Sequence, residues 1–430
     1  MNSRFVRLLS VLMLFVTGGA QAQLSGYSSA GFGYHQNPLY NYEKVSDQVT
    51  QTYLELAYQT GSENSAFGAR YVGGLMVFNH FADRNFYEHS VLGRYAARLL
   101  KSPQSKAKKA EEPESEDEEE SETEHEASYR DSTDAFFELA LKASARHDKA
   151  IYGEFDNQGA ELTLAYRWAA GERSYYRLVN TLALRRYSNV SELSNVNDLC
   201  TIEGGMWNES GFVYGFTASA GLKYYTTDVY DTTRFESSKT IGQGSSGKGK
   251  QGGKVSTPTG KDILLQPQDN GTVQVVGALF LRQDWSSRSS LLSSVGYRWT
   301  LHSAVRYLAQ KANASMMNED IYNDFFSYEG PEVRLRLTQE LVAKIQMILE
   351  AELQHKLFGA PALNLAGEQT APKRKDLRSA IELYASRYFD LINGFGLDIF
   401  VSGGVLRNQS NDDYNDYSLY SISAGLGISF

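Results

Sequence analysis

Between residues 134 and 147, Phe137, Leu139, Leu141, Ala143 and Ala145 hold every second position, with Glu138, Lys142 and Arg146 falling between them. A period of two puts the apolar side chains on one face of an extended strand and the charges on the other. The pattern recurs along the chain. Ala160, Leu162, Leu164, Tyr166 and Trp168 oppose Glu161, Thr163 and Arg167, and Val273, Val275, Leu279 and Leu281 oppose Gln274, Arg282 and Asp284. Val333, Leu335 and Leu337 oppose Glu332, Arg334 and Arg336. These segments exceed the ~5 to 6 residues usual in globular sheets and approach the ~9 to 11 that cross a bilayer at a tilt. A charge facing mid-bilayer lipid costs ~2 to 4 kcal/mol in a barrel wall. One face must therefore be wet, and a soluble sandwich is the competing fold.

Alternation marks fifteen candidate strands, from 24–35 to 416–430. A closed antiparallel wall with both termini at one end needs an even number. Either a strand is hidden within 189–208 or 227–270, which gives sixteen, or the first candidate lies outside the wall, which gives fourteen. The stretch 338–357 is rich in helix formers, yet Ala343, Ile345, Met347, Leu349, Ala351 and Leu353 alternate without a miss, and we read it as strand. Aromatic residues at strand ends, Tyr166, Trp168, Tyr187, Trp285, Tyr297, Trp299 and Tyr388, suit the two belts of a membrane interface.

The two ends of the chain narrow the choice. At the C-terminus Tyr420, Ile422, Ala424, Leu426, Ile428 and Phe430 alternate with Ser and Gly. This segment resembles the closing strand of bacterial outer-membrane β-barrels, which is read in that group by the barrel assembly machinery. At the N-terminus Arg4 and Arg7, the apolar run Leu8 to Val16, and Ala20-Gln21-Ala22 read as a secretory signal over 1–22, followed by one domain over 23–430. No other segment reaches the roughly 18 to 20 apolar residues of a spanning helix. The expected fold is all-β, a transmembrane antiparallel up-and-down barrel of 14–16 strands, sixteen slightly favoured, in the bacterial outer membrane. Its expected partners are outer-membrane lipid, lipopolysaccharide and the assembly machinery. Homo-oligomer formation stays open, and no nucleic acid or cofactor is implied.

If the polar face lines a lumen, the candidate lining includes Arg70, Arg94, Arg98, Lys142, Arg146, Arg167, Arg282, Arg298, Arg334, Arg336, Lys344, Glu350 and Glu352. Over all predicted strands the polar face carries seventeen bases, Arg288 among them, and nine acids, an excess of plus eight in a chain of net charge −9. Such a lumen would favour anions, unless its charges pair across neighbouring strands. The expected function is an outer-membrane channel for passive diffusion or transport of small solutes. The alternatives are a structural or adhesive barrel with a blocked lumen, or a polymer export channel.

The remaining features carry less. Residues 111–126 hold eleven carboxylates and no base, and the connections 101–131 and 227–270 read as disordered loops. Counting strands back from Phe430 places both outside the cell. In 242–254 Gly249 stands where a phosphate loop needs Ser or Thr, which favours a linker. Asp412, Asp413 and Asp416 are weak metal candidates, and a solvated turn is the simpler reading. Cys200, the single cysteine, reads as an inert loop thiol. The seven histidines are scattered, and His147 and Asp148, being adjacent on a strand, point to opposite faces; no catalytic site is expected.

Overall fold

The computed structural model describes residues 22–37, 45–62, 64–100, 135–150, 153, 156–171, 173–208, 210–227, 230–231, 266–267, 269–286, 288–304, 326–365 and 369–430. Sixteen strands close into one antiparallel barrel in sequence order. They are β1 (Ala22–Gln36), β2 (Ser46–Ser62), β3 (Ser65–Phe78), β4 (Phe86–Leu100), β5 (Ala135–Asp148), β6 (Asn157–Gly171), β7 (Ser174–Tyr187) and β8 (Asn195–Trp207). The second half comprises β9 (Phe212–Tyr225), β10 (Gly271–Ser286), β11 (Ser289–His302), β12 (Tyr328–Leu341), β13 (Ile345–Leu363), β14 (Gln369–Asp390), β15 (Gly396–Ser410) and β16 (Tyr417–Ser429). A separate two-residue ladder joins Tyr230–Asp231 to Gln266–Pro267.

The hidden strand is β8. It pairs with β7 from Ser174↔Met206 to Arg185↔Asn195 and with β9 from Asn195↔Tyr225 to Trp207↔Val213. Cys200 therefore stands in a strand, not a loop, and is exposed. The ambiguous stretch 338–357 is a hairpin. β12 ends at Leu341, Val342–Lys344 turn, and β13 begins at Ile345.

Closure joins β1 to β16 from Tyr27↔Ser429 to Gln36↔Tyr420. Gly26 and Phe430 exchange backbone hydrogen bonds of 2.9 and 3.0 Å. The Phe430 ring lies so close over Gly26 that a Cβ there would sit 2.3 Å from it. Closing the ring leaves no unpaired sheet edge, which a bilayer core would not tolerate. Gly330 marks another tight point. Its φ is +138°, and a Cβ would fall 1.9 Å from the His355 carbonyl oxygen, so only glycine lets β12 and β13 approach there.

The outward positions are mostly apolar around the circumference, with Leu24, Leu279, Ile381 and Ile422 each more than half exposed. Tyr166 stacks on Trp168 at 5.3 Å and Trp168 meets Tyr176 at 5.6 Å near one rim; Tyr297 meets Trp299 at 4.7 Å near the other. Two residues expected in these belts point inward instead. Tyr187 is buried, and the Tyr388 hydroxyl lies 3.2 Å from Ser429 Oγ, because register puts Tyr388 opposite Asp398.

The connections differ at the two ends. At the end carrying Phe430 they span 63–64, 172–173, 208–211, 287–288, 342–344 and 391–395. At the other end they include 79–85, 188–194, 226–270 and 303–327. Short turns belong to the periplasmic side and long loops to the outer one. The connection 101–134 breaks that rule. Leu100 and Ala135 are register partners at the Phe430 end, so the chain leaves and re-enters the barrel there. This corrects the external placement expected for 101–131, since the uncounted β8 inverts the assignment of everything N-terminal to it; 227–270 keeps its expected side. The acidic run 111–126, the glycine-rich 242–254 and residues 1–21 of the stretch read as a secretory signal lie outside the described residues, and Ala22 opens β1.

Candidate functional site

Register sorts the strand residues into an outward and an inward set. Arg70, Arg94, Arg98, Lys142, Arg146, Arg167, Arg282, Arg298, Arg334, Arg336, Glu350 and Glu352 all occupy inward positions. Lys344 does not. With Ala343 it forms the turn at positive φ, 57° and 66°, and so sits at the rim. Arg288 likewise lies in the turn before β11.

The densest cluster spans β11 to β14. Arg334 Nε lies 2.9 Å from Glu352 Oε1 and its Nη2 3.6 Å from Glu332 Oε2. Arg378 bonds Glu352 from the next strand, Arg336 Nε lies 3.3 Å from Glu350 Oε1, and Arg298 Nη2 lies 3.5 Å from Glu332. Gln354 donates to Glu352 at 2.8 Å. Arg298 is almost fully buried; besides Glu332 it has the Gln274 amide oxygen at 3.4 Å and the Tyr328 ring face at 4.7 Å. Removing the partner of a buried cation costs several kcal/mol, whereas the half-exposed pairs contribute about 0 to 1 kcal/mol each. A second cluster spans β2 to β8. Arg70 pairs with Glu55, Arg94 with Glu138 at 2.9 Å and Arg146 with Asp148 at 2.9 Å, under the Phe86 ring at 3.9 Å. The Arg167 guanidinium lies 4.8 Å from the centre of the Tyr175 ring, and the Tyr175 hydroxyl donates to Glu203 at 2.6 Å.

These pairings overturn the basic lumen expected from sequence. Register adds seven inward carboxylates to the count, Asp47, Glu88, Asp148, Glu203, Glu340, Asp376 and Asp390, and one base, Arg374, while Arg288 and Lys344 leave it. Among the described strand residues the excess of eight disappears. The acids escaped because they cluster at strand ends, where alternation fades, or lie on β8.

In a ring of sixteen, β4 to β6 stand opposite β12 to β14, so the two charged arcs face each other. Small residues line the arcs between them: Ser421, Ser423, Gly425, Ser29 and Gly31 on one side, Thr201, Thr217, Ser219 and Ala278 on the other. Several inward charges have no ion pair among the described residues, including Glu88, Glu161, Arg177, Arg185, Lys142 and Glu382. Lys142 stands on β5. Glu382 stands on β14 as cross-strand partner of Glu350, whose charge Arg336 already balances.

The remaining expected positions find structural uses. Asp412 is buried and accepts from the Leu363 and Tyr414 amides at 2.8 and 3.2 Å; Asp413 accepts from the Leu365 amide, and Asp416 from Arg407 at 2.7 Å. The three carboxylates thus brace a loop rather than converge on a cation. His147 points outward against Tyr87 at 5.1 Å while Asp148 points inward to Arg146. Sequence reasoning missed Asp47, which is buried and anchors the loop after β3 by accepting from the His80 and Phe81 amides.

A closed sheet, apolar outside and ionic inside, defines a transmembrane β-barrel of the outer-membrane type. No family model matches this chain, and no curated protein does. Among solved structures the chain is similar to OccK2 (OpdF) of Pseudomonas aeruginosa, at 8% identity over 95% of this chain and 98% of that one, with a TM-score of 0.42. It is also similar to the outer membrane protein OprD of Pseudomonas aeruginosa, at 9% identity over 95% and 93%, TM-score 0.41. The same holds for Pseudomonas aeruginosa OpdK, solved with vanillate, at 9% over 95% and 99%, TM-score 0.41.

Proposed function

We propose that this protein is an outer-membrane channel through which small polar solutes diffuse passively. The observation that carries this reading is the sixteen-strand circumference with a charged inner wall. About eight strands suffice to be filled by their own side chains, whereas about 16 to 18 leave an aqueous path. The balanced ion pairs support weak charge selectivity rather than the anion preference expected from an excess of arginine. Lys142 and Glu382, two inward charges without an ion pair, stand nearly across the lumen from one another and are positions at which selectivity is readily moved.

The test is single-channel recording of the refolded protein in a planar bilayer under a salt gradient. Stepwise conductance with a reversal potential near zero is expected. Lys142→Glu should shift that potential toward cation preference and Glu382→Lys toward anion preference, each by a permeability ratio of about 2 to 5. A silent bilayer with correctly folded protein would instead favour a structural barrel with a blocked lumen.

A further inference from the structure

On the outer wall, near the rim opposite Phe430, a histidine and two cations occupy outward positions of consecutive strands: His355 on β13, Lys375 on β14 and Arg407 on β15. They line a recess of about 440 Å³ together with Leu377, Gln409 and Asn411 and two carboxylates, Asp376, held by Arg374, and Asp416, held by Arg407. Directly below, toward the middle of the wall, the outward positions are apolar: Leu353, Ile381, Val405 and Tyr420, each close to half exposed or more. The cations thus stand where the apolar band ends.

The recess is held in place by the loop that closes it. Asp412 ties the loop to the Leu363 amide, Asn411 accepts from the Lys375 amide at 2.7 Å and donates to the Lys373 carbonyl at 2.9 Å. Arg407 is oriented by Asp416 at 2.7 Å and Ser418 at 3.1 Å, contacts made by its two terminal nitrogens. The Lys375 ammonium has no ion pair among the described residues, and His355 is exposed.

We propose that this recess binds the phosphorylated headgroup of an outer-leaflet glycolipid, with the phosphate held by Lys375 and Arg407 and the acyl chains lying on the apolar band below. Lysine and arginine supply charge-assisted bonds to phosphate oxygens, and basic pockets at the membrane surface are where anionic headgroups dock. The inference rests on the outward face meeting lipid, and it is independent of whether the lumen conducts.

The experiment is native mass spectrometry of the folded protein in mild detergent with bisphosphorylated lipid A, with the same glycolipid stripped of phosphate, and with inorganic phosphate as competitor. A one-to-one adduct is expected with the phosphorylated lipid alone. It should weaken about tenfold in the Lys375→Gln/Arg407→Gln double variant. Lys375→Gln with His355→Gln, which leaves the Arg407–Asp416 pair intact, should weaken it several-fold. Arg186→Gln, a cation at an outward position of β7, should leave it unchanged. Heat-modifiable gel mobility establishes that each variant is folded. Equal retention of the dephosphorylated lipid, equal binding by both multiple variants, or displacement by millimolar phosphate would each overturn the proposal.

Discussion

Half a circumference apart, β8 and β16 present opposite kinds of surface to the membrane. From Tyr420 to Ile428 every outward position of β16 is apolar: Tyr420, Ile422, Ala424, Leu426 and Ile428. On β8 the outward set is Val196, Asp198, Cys200, Ile202, Gly204 and Met206. There the Asp198 carboxylate accepts from the outward Asn180 side chain at 2.7 Å, and Leu182 and Leu222 flank it as register partners. A barrel wall therefore tolerates a polar window where neighbouring strands supply a hydrogen bond and apolar cover. The closing strand has no such window, and its outward face is continuous.

Placing a charge on that continuous face should produce the largest change. Ile422→Arg is expected to cost ~2 to 4 kcal/mol, read as a lower urea midpoint and a smaller folded fraction in vesicles. A cost near zero would mean that β16 and β8 do not differ as described. Asp198→Leu should act in the other direction and less strongly, raising stability by about 1 kcal/mol, because a lipid-facing carboxylate disappears while only one hydrogen bond is lost. A fall in stability would show that the Asn180–Asp198 pair holds β7 to β8 rather than merely being tolerated. The smallest perturbation tests orientation alone. A lipid-soluble maleimide should label Cys200, and a charged one should not. With Cys200→Ser as background, Thr201→Cys should show the reverse, because the side chain then faces the lumen. Labelling of both positions by the charged reagent would place β8 outside the wall.

The same contrast explains what could be read in advance. β16 and β5 announce themselves because the bilayer and the lumen impose opposite solvents on alternate residues. β8 escapes because Asp198 and Cys200 stand on its outer face and Leu199 on its inner one, which erases the period. Missing one strand also inverted the side assigned to 101–131, since each strand reverses the direction of the chain. The inward set was legible for Arg334, Arg336, Glu350 and Glu352, within strong alternation. It failed for Lys344, which a tight turn claims, and for Asp376 and Glu203, whose surroundings lack the signal.

What the sequence determines by itself is the division of each strand into two faces, and with it a sheet that must close around a polar interior. Local alternation suffices for that, because the side-chain period of a strand is two whatever the strand pairs with. Only the tertiary structure decides how many strands close the ring, from which end each loop leaves, and whether an inward arginine is free or neutralised. Those depend on partners such as Arg334 and Glu352, or Asn180 and Asp198, which meet only once separate strands are set in register and electrostatic attraction acts across the gap between them.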